Sequence, residues 1–324
     1  EQHYGVPMPE RIGWKIPEMF NAAIDGQLKA LWLMGEDVVQ TDPNTQKVIK
    51  AMESLDLLVV QEIFMTETAR YADVILPAAS FLEKSGTFTN GERRIQRVNQ
   101  VVPPLEGTKA DGQIICDVME RYAQRTGTRS SNASTTYHPG WVLEEISRIV
   151  PFFAGVKWEE LGENGKQWPV KPDGTDTQIL HADTFKRGLG RFIFKPWVES
   201  PEVRELEHYN SGTMIRRTGN VEVLTEDVLL INPADAQQNG IADGDMVCVE
   251  SPRGKVDIKA RVTDEVKPGI LSSTFHFPEV MLNLITSDVH CSEAMCPEYK
   301  VVTCRIRKAR KAGMRKAGEV VEKA

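Results

Sequence analysis

The chain has 324 residues, of which 41% are hydrophobic and 26% are charged. This composition excludes wholesale disorder, and the length exceeds the roughly 250–300 residues at which a single core stops growing, so two domains are expected. The net charge is -7, but eight basic and two acidic residues in 305–324 give that tail +6 and leave -13 for the rest. A uniformly basic nucleic-acid-binding surface is therefore not predicted.

The five cysteines are scattered and lack the CxxC spacing typical of iron–sulfur and zinc sites. Their odd number also argues against a disulfide framework, so we predict a reduced, cytoplasmic compartment. No stretch approaches the roughly 20 apolar residues that a membrane helix requires, and no signal peptide is visible. The chain opens at Glu1 rather than at a methionine, so we expect it to be part of a longer protein.

The first part of the chain alternates strand and helix patterns. Short apolar runs predict buried strands at 28–33, 57–60 and 74–76, and a polar segment predicts a helix at 44–54. This order and spacing are typical of βαβ units with a parallel sheet. Ligands bind such sheets at the carboxyl ends of the strands.

The middle of the chain mixes patterns. Residues 86–102 carry apolar side chains without a helical stripe, which predicts a small β segment. An amphipathic helix is predicted at 113–126, ended by Gly127, and a shorter helix at 141–149 is stopped by Pro151.

After about residue 185 the pattern becomes all-β. A helix at 233–239, with Asn232 as its N-cap and Gly240 at its end, interrupts this part. Strands at this spacing predict a closed barrel, and the seam between the two domains falls near 175–200. The predicted strands are 221–224, 246–251, 255–262 and 270–275.

A glycine turn follows the first predicted strand. Gly35 and Asp37 lie there, and Thr41 comes shortly after. Such a turn directs backbone N–H groups, a carboxylate and a hydroxyl into the crevice at the sheet edge, where Asp37 is suited to accept hydrogen bonds from a guanine-like base. The alternative is a solvated turn that caps the next helix.

Further segments are more specific in combination than alone. Their residue sequences and their order along the chain resemble those of the molybdopterin oxidoreductases and, within that family, those of the catalytic large (alpha) subunit of formate dehydrogenase. The resemblance covers nearly the whole chain. The segments that carry it are 34–42, 61–69, 71–77, 83–90, 92–96, 111–115, 207–214 and 297–300.

This resemblance implies molybdenum or tungsten held between two molybdopterin guanine dinucleotides, and oxidation of formate to CO2 with electrons passed to a [4Fe-4S] cluster. The metal-ligating cysteine or selenocysteine and the cluster cysteines belong to the N-terminal half of such subunits. This chain is similar to the C-terminal part, so no catalytic or metal-ligating residue is predicted in it, with His208 the nearest candidate. Expected partners are formate or CO2, the N-terminal half, and iron–sulfur subunits linked to NAD, ferredoxin or hydrogenase.

The resemblance also implies an architecture. Residues 1–80 are similar to the later half of a Rossmann-like, parallel-sheet α/β domain that binds molybdopterin guanine dinucleotide. Residues 81–184 form a small β segment with helices and connecting loops. Residues 185–324 are similar to a C-terminal six-stranded double-psi-type β-barrel that binds the dinucleotides and ends in the basic tail. Neither a nucleic-acid partner nor a membrane span is expected.

Site residues follow from the motif positions. One guanine dinucleotide is implied to contact Gly35, Asp37, Thr41, Gln61, Glu62, Lys84 and Asp111. The second is implied to contact Arg204, His208, Ser211, Phe275, Asn283, Tyr299 and Lys300. Cationic side chains in these sets offset pyrophosphate charge, while amides and carboxylates match the pterin and guanine edges, so the protein orients and tunes a cofactor that performs the redox step.

The sequence departs from the family at two places. An apolar strand ending in Thr-Gly normally precedes the arginine equivalent to Arg204, whereas here 197–203 runs directly into it, which favours omitted residues over a natural deletion. Gly112 stands where the family commonly has tryptophan.

Two other functions remain open from the sequence. A non-catalytic relative, such as the large subunit of respiratory complex I, would not need the segments 207–214 and 297–300. A nitrate-type molybdopterin reductase differs mainly in the N-terminal half.

Two further features are interpreted as structural. Cys291 and Cys296 lack a partner pair of ligands and are interpreted as core or loop thiols. The basic tail is interpreted as a terminal strand and helix facing an acidic neighbour or solvent.

Overall fold

The computed structural model describes residues 3, 5, 7–127, 136–185, 187–194, 196, 213–216, 226–292, 294–298 and 301–309. Its helices are α1 (Ile16–Ile24), α2 (Val38–Thr41), α3 (Thr45–Glu53), α4 (Asp111–Thr126), α5 (Pro139–Ile149) and α6 (Pro233–Gln238). In the first two sheets the strands are β1 (Ala30–Met34), β2 (Leu57–Glu62), β3 (Val74–Pro77), β4 (Gly86–Thr89), β5 (Arg94–Val98) and β6 (Lys166–Gln167). The third sheet contains β7 (Thr213–Arg216), β8 (Val228–Ile231), β9 (Met246–Glu250), β10 (Lys255–Val262), β11 (Ile270–Ser273), β12 (Val302–Thr303) and β13 (Arg305–Lys308).

The N-terminal unit is a parallel sheet in the order β1-β2-β3. In its register Ala30 pairs with Leu57, and Val59 pairs with Val74. The buried core of this unit includes Val48 from α3 and Leu58 and Val60 from β2. These findings confirm the predicted α/β unit, because the apolar runs form strands and the segment between the first two of them contains α3.

A connection after β3 brings a distant helix to the same sheet edge. Ala78 bridges Lys109 in parallel, and the Lys109 N–H donates to the Pro77 carbonyl at 3.2 Å. Helix α4 therefore begins, at Asp111, beside the carboxyl ends of the strands.

The middle of the chain forms an antiparallel sheet of β4, β5 and β6. Arg93 precedes β5 with a φ of 70°, and its guanidinium donates to the carbonyls of Trp168, Thr177 and Gln178. This one side chain ties the β4–β5 turn to the loop around β6. The β segment predicted at 86–102 is present, and its third strand comes from about 70 residues downstream.

The C-terminal unit is a mixed sheet in the order β12-β7-β11-β8-β10-β9-β13. Helix α6 lies between β8 and β9, and the Asn232 side chain accepts a hydrogen bond from the Ala234 N–H at 3.0 Å, as the sequence predicted. The strand predicted at 221–224 lies outside the described residues. Within the described residues every helix is too short or too polar to cross a bilayer.

The two outermost strands of this sheet are consecutive in the chain. Only Cys304 separates β12, which pairs with β7, from β13, which pairs with β9. One short segment thus pairs with both ends of the sheet, so the sheet must curl. Within the described residues this C-terminal sheet has seven strands rather than the predicted six, because the segment that forms β12 and β13 is interrupted at Cys304.

Candidate functional site

The carboxyl ends of β1 and β2 form the centre of the site. Gly35 follows β1 with a φ of 65°, a conformation that glycine adopts at little cost, and its N–H donates to the Gln61 carbonyl at 3.0 Å. This turn redirects the chain from the sheet into α2. It places Asp37 and the end of β2 at the same edge.

Asp37 is half-buried and fixes the neighbouring turn. Its Oδ1 accepts hydrogen bonds from the N–H of Thr68 at 2.9 Å and from the Thr68 hydroxyl at 2.6 Å. Thr68 Oγ1 in turn accepts from the Val39 N–H at 3.0 Å. The second oxygen, Oδ2, has no donor among the described residues. Asp37 therefore stabilises the 3₁₀ turn Thr68–Tyr71 with one oxygen and retains acceptor capacity on the other.

Gln61, Asp111 and Lys84 form a hydrogen-bonded cluster at the same edge. The fully buried Gln61 donates from Nε2 to Asp111 Oδ1 at 2.7 Å, and Lys84 Nζ donates to Asp111 Oδ2. The side chains of Lys84 and Asp111 are each 27% exposed. Burial raises the pKa of Asp111, but the hydrogen bonds from Lys84 and Gln61 and the charge of Lys84 outweigh it, so its pKa lies below the ordinary value.

One atom of this cluster lacks a partner among the described residues. Gln61 Oε1 is buried, and no described residue donates a hydrogen bond to it. Leaving such an acceptor unpaired costs on the order of 1–3 kcal/mol, so native proteins usually satisfy it. The orphaned oxygen is therefore the atom of this cluster that still requires a donor.

A cavity of about 270 Å³ lies beside the cluster, between β4 and α5. Lys84 and Asp111 line its polar side, and Phe88 and Val142 line its apolar side. Tyr137 also lines it, and a Cβ atom at Gly112 would lie 2.2 Å from the Tyr137 ring. The tyrosine ring therefore occupies the space that a side chain at position 112 would need.

The C-terminal unit adds the loop after β11. Phe275 is half-buried and His276 is exposed. The buried Asp227 accepts hydrogen bonds from the Thr274 hydroxyl, from the His276 N–H at 3.3 Å and from the Phe277 N–H at 3.0 Å. One carboxylate thus holds the loop that carries Phe275.

Two family models match the chain. Molybdopterin oxidoreductase matches residues 8–121, and the molydopterin dinucleotide binding domain matches residues 202–303. The chain belongs to the molybdopterin oxidoreductase family. The first model extends past residue 80 into the middle of the chain, and the second lies within residues 185–324.

Curated relatives agree with this family. The chain is 38% identical over 327 residues to the probable oxidoreductase YjgC of Bacillus subtilis, covering 94% of this chain and 32% of the relative. It is 36% identical over 313 residues to the F420-dependent formate dehydrogenase 1 subunit alpha of Methanococcus maripaludis, covering 92% and 45%. It is also 36% identical to the alpha subunit of Methanocaldococcus jannaschii F420-dependent formate dehydrogenase, covering 95% and 47%. The chain thus spans less than half the length of these relatives.

A solved structure shares the fold. Acetylene hydratase from Pelobacter acetylenicus superposes with a TM-score of 0.66 at 18% sequence identity, covering 90% of this chain and 46% of that one. At this level of identity the likeness concerns the fold alone.

The residues at the sheet edge fit the dinucleotide of this family. The Oδ2 of Asp37 and the orphaned Gln61 Oε1 are acceptors that match amine and amide N–H groups of a base or a pterin, and Lys84, which pairs with Asp111, is a cation of the kind that binds phosphate. Glu62 is half-buried at the end of β2, and its carboxylate accepts from the Ile63 N–H at 2.7 Å. Six of the seven N-terminal predicted residues therefore lie at this edge, and Thr41 lies at the last position of α2.

The structure describes only some of the predicted residues of the C-terminal unit. Asn283 is fully buried, and its side chain contacts the carbonyls of Gln40 and Thr41 in the N-terminal unit. The predicted residues that lie outside the described part of the chain are Arg204, His208, Ser211, Tyr299 and Lys300. Sequence reasoning missed the supporting residues Thr68, Gln40, Tyr137 and Asp227, although Gln40 and Thr68 lie within the motif segments 34–42 and 61–69.

Proposed function

We propose that this chain is the C-terminal, cofactor-binding part of a formate dehydrogenase large subunit. The reaction is the reversible conversion of formate to CO2, two electrons and a proton. The observation that carries the proposal is the identity of 36% to formate dehydrogenase alpha subunits over more than nine-tenths of this chain. The nitrate-type and complex I alternatives gain no support from these relatives.

The cofactor, when bound, supplies a molybdenum or tungsten centre that accepts the two electrons. The residues of this chain bind and orient it. Asp37 Oδ2 accepts from the guanine edge while Oδ1 keeps the Thr68 turn in place. Gln61 and Asp111 face the same dinucleotide, and Lys84 offsets pyrophosphate charge. Gly35, Thr41 and Glu62 complete this proposed set.

The second dinucleotide is assigned to the C-terminal unit. Phe275 is its proposed contact among the described residues. Asn283 is fully buried with its amide bound to carbonyls of the N-terminal unit, so its proposed role is to support this dinucleotide rather than to contact it. Arg204, His208, Ser211, Tyr299 and Lys300 are proposed from the family motifs. We further infer that β12 and β13 act as one strand, which with the five others gives the six strands of a double-psi barrel. The proposed domain limits remain 1–80, 81–184 and 185–324.

The rest of the subunit is assigned the reacting groups. In this proposal the metal ligand and a [4Fe-4S] cluster lie in the part of the subunit that this chain lacks, and iron–sulfur subunits carry the electrons onward in the cytoplasm. The two formate dehydrogenase relatives are alpha subunits, which supports the existence of partner subunits.

Formate turnover by the full-length protein tests the function. With ¹³C-formate and oxidised benzyl viologen, we expect one ¹³CO2 for every two viologen molecules reduced. Nitrate with reduced viologen serves as the control substrate. Nitrate reduction without formate oxidation, in a preparation that contains the metal, would reject the formate assignment in favour of the nitrate-type alternative.

A further inference from the structure

Two side-chain amides join the N-terminal and C-terminal units. Gln40, in α2, donates from Nε2 to the carbonyls of Phe275 at 3.2 Å and His276 at 3.0 Å. Asn283 donates from Nδ2 to the carbonyls of Gln40 at 2.7 Å and Thr41 at 2.9 Å. Each unit thus contributes one amide that binds two backbone carbonyls of the other, and we call this pair the amide clasp.

The orientation of Asn283 is set by its own neighbours. Thr286, which is fully buried, donates from Oγ1 to Asn283 Oδ1 at 3.1 Å and accepts from the Asn44 N–H at 3.2 Å. The Thr286 hydroxyl lies at the same distance, 3.1 Å, from the Asn283 carbonyl. The orientation of the amide follows from its other side, because the carbonyls of Gln40 and Thr41 are acceptors and only Nδ2 can donate to them. A carboxylate at position 283 would direct oxygen against oxygen there, so the amide is required chemically.

The clasp lies between the two proposed dinucleotide-binding segments. On one side it binds the carbonyl of Thr41, at the end of the helix that begins beside Asp37. On the other side it binds the carbonyl of Phe275, whose loop is held by Asp227. A shift in either amide would therefore move a proposed contact of one dinucleotide relative to a proposed contact of the other.

A second group of polar contacts joins the same units. Lys47 Nζ lies 2.5 Å from Asp288 Oδ2, and Asn44 Nδ2 donates to Asp288 Oδ1 at 3.3 Å. Met281 packs against the N-terminal core. These contacts hold the units together without binding the carbonyls of Thr41 or Phe275, which makes Asp288 a matched control position.

We propose that Gln40 and Asn283 are positioning residues that fix the spacing between the two dinucleotides. This inference rests on the proposed function. The clasp does more than hold the two units together, because it binds the backbone of segments that are proposed to contact the cofactor. Loss of the clasp misplaces one dinucleotide relative to the other, and loss of the Lys47–Asp288 pair does not.

The test compares Asn283→Asp with Asp288→Asn in the full-length protein. The readouts are released guanosine monophosphate, metal content, KM and kcat for formate, and the electron paramagnetic resonance spectrum of the half-reduced metal. For Asn283→Asp we expect dinucleotide occupancy to fall by about tenfold, as two lost hydrogen bonds would give. In molecules that retain the cofactor, we expect a shifted spectrum and a lower kcat. Asp288→Asn should keep wild-type occupancy and spectrum.

Gln40→Leu serves as a second variant if Asn283→Asp fails to fold, since Gln40 is only half-buried in the short helix α2. It should lower occupancy and shift the spectrum in the same direction. If the clasp variants keep full occupancy, spectrum and kcat, or change them no more than Asp288→Asn does, the clasp is only cohesive and the inference is wrong. A wild-type protein without guanine dinucleotide would instead refute the proposed function on which it rests.

Discussion

Replacing Asp111 by alanine is expected to lower the free energy of unfolding of the full-length protein by about 3 kcal/mol, because it breaks a largely buried ion pair and removes a hydrogen-bond acceptor. Lys84 would keep its charge without a counterion, and Gln61 Nε2 would lose its acceptor inside the fold. Since these side chains face the proposed dinucleotide, cofactor content should fall as well. Thermal or denaturant unfolding and pterin analysis measure the two effects.

Asp117→Ala is the matched control on the same helix. Asp117 also pairs with a lysine, Lys109 at 2.5 Å, and also accepts from a glutamine, Gln113 at 2.7 Å. Its lysine is 59% exposed, however, so solvent screens the pair and the loss should be a small fraction of that at Asp111. Equal losses at both positions would show that the cluster at the sheet edge has no special contribution.

Acid should reproduce part of the Asp111 effect. The folded-state pKa of Asp111 is lowered, so its stabilisation is present above the unfolded pKa of about 3.9 and is lost as the pH falls through the folded value. Asp111→Asn should therefore reduce the slope of unfolding free energy against pH below about 4 and leave the slope near neutrality unchanged. An unchanged slope below pH 4 would contradict this assignment.

Replacing Asp227 by alanine is the second change with a large expected effect. It leaves the Thr274 hydroxyl and the N–H groups of His276 and Phe277 without their buried acceptor. We expect the free energy of unfolding to fall by about 3 kcal/mol, which lies within the range for a broken buried hydrogen-bond network. Because the same loop carries Phe275, the retained fraction of the second dinucleotide should fall. Calorimetry and guanosine release measure both.

Asp243→Ala provides the comparison within the same unit. Asp243 Oδ1 accepts one hydrogen bond, from the Val262 N–H at 2.8 Å, at an exposed position. We expect a minor change in stability and full dinucleotide content. If Asp227→Ala behaved in the same way, Asp227 would not be the residue that holds the Phe275 loop.

Local sequence patterns account for the elements that depend on local chemistry. The buried strand β2 was predicted because its apolar run is continuous, and α6 was predicted because Asn232 and Pro233 mark its start. Strand β10 was predicted with its observed bounds because polar and apolar residues alternate along it, and the structure shows the matching alternation of exposed and buried side chains. Helix α1 was missed, although a proline in its first turn and Glu18 three residues after Lys15 signal its start.

The site was predictable in outline but not in its supports. Chain order placed Gly35, Asp37 and Gln61 at strand ends, and parallel strands bring those ends together. The clasp could not be predicted, because Gln40 and Asn283 are 243 residues apart and only the packed units bring them into contact. Tyr137 opposite Gly112 is a similar case, since neither residue alone indicates that one fills the space left by the other.

We propose that this chain holds molybdopterin guanine dinucleotide through Asp37 and its neighbours and through the C-terminal unit. Acid hydrolysis of the purified full-length subunit releases guanosine monophosphate, and its amount, determined together with the molybdenum and tungsten content, tests this proposal. We expect two guanosine monophosphates and one metal ion per subunit, and less nucleotide in Asp37→Ala. An active, formate-oxidising preparation that releases no guanosine monophosphate would contradict it.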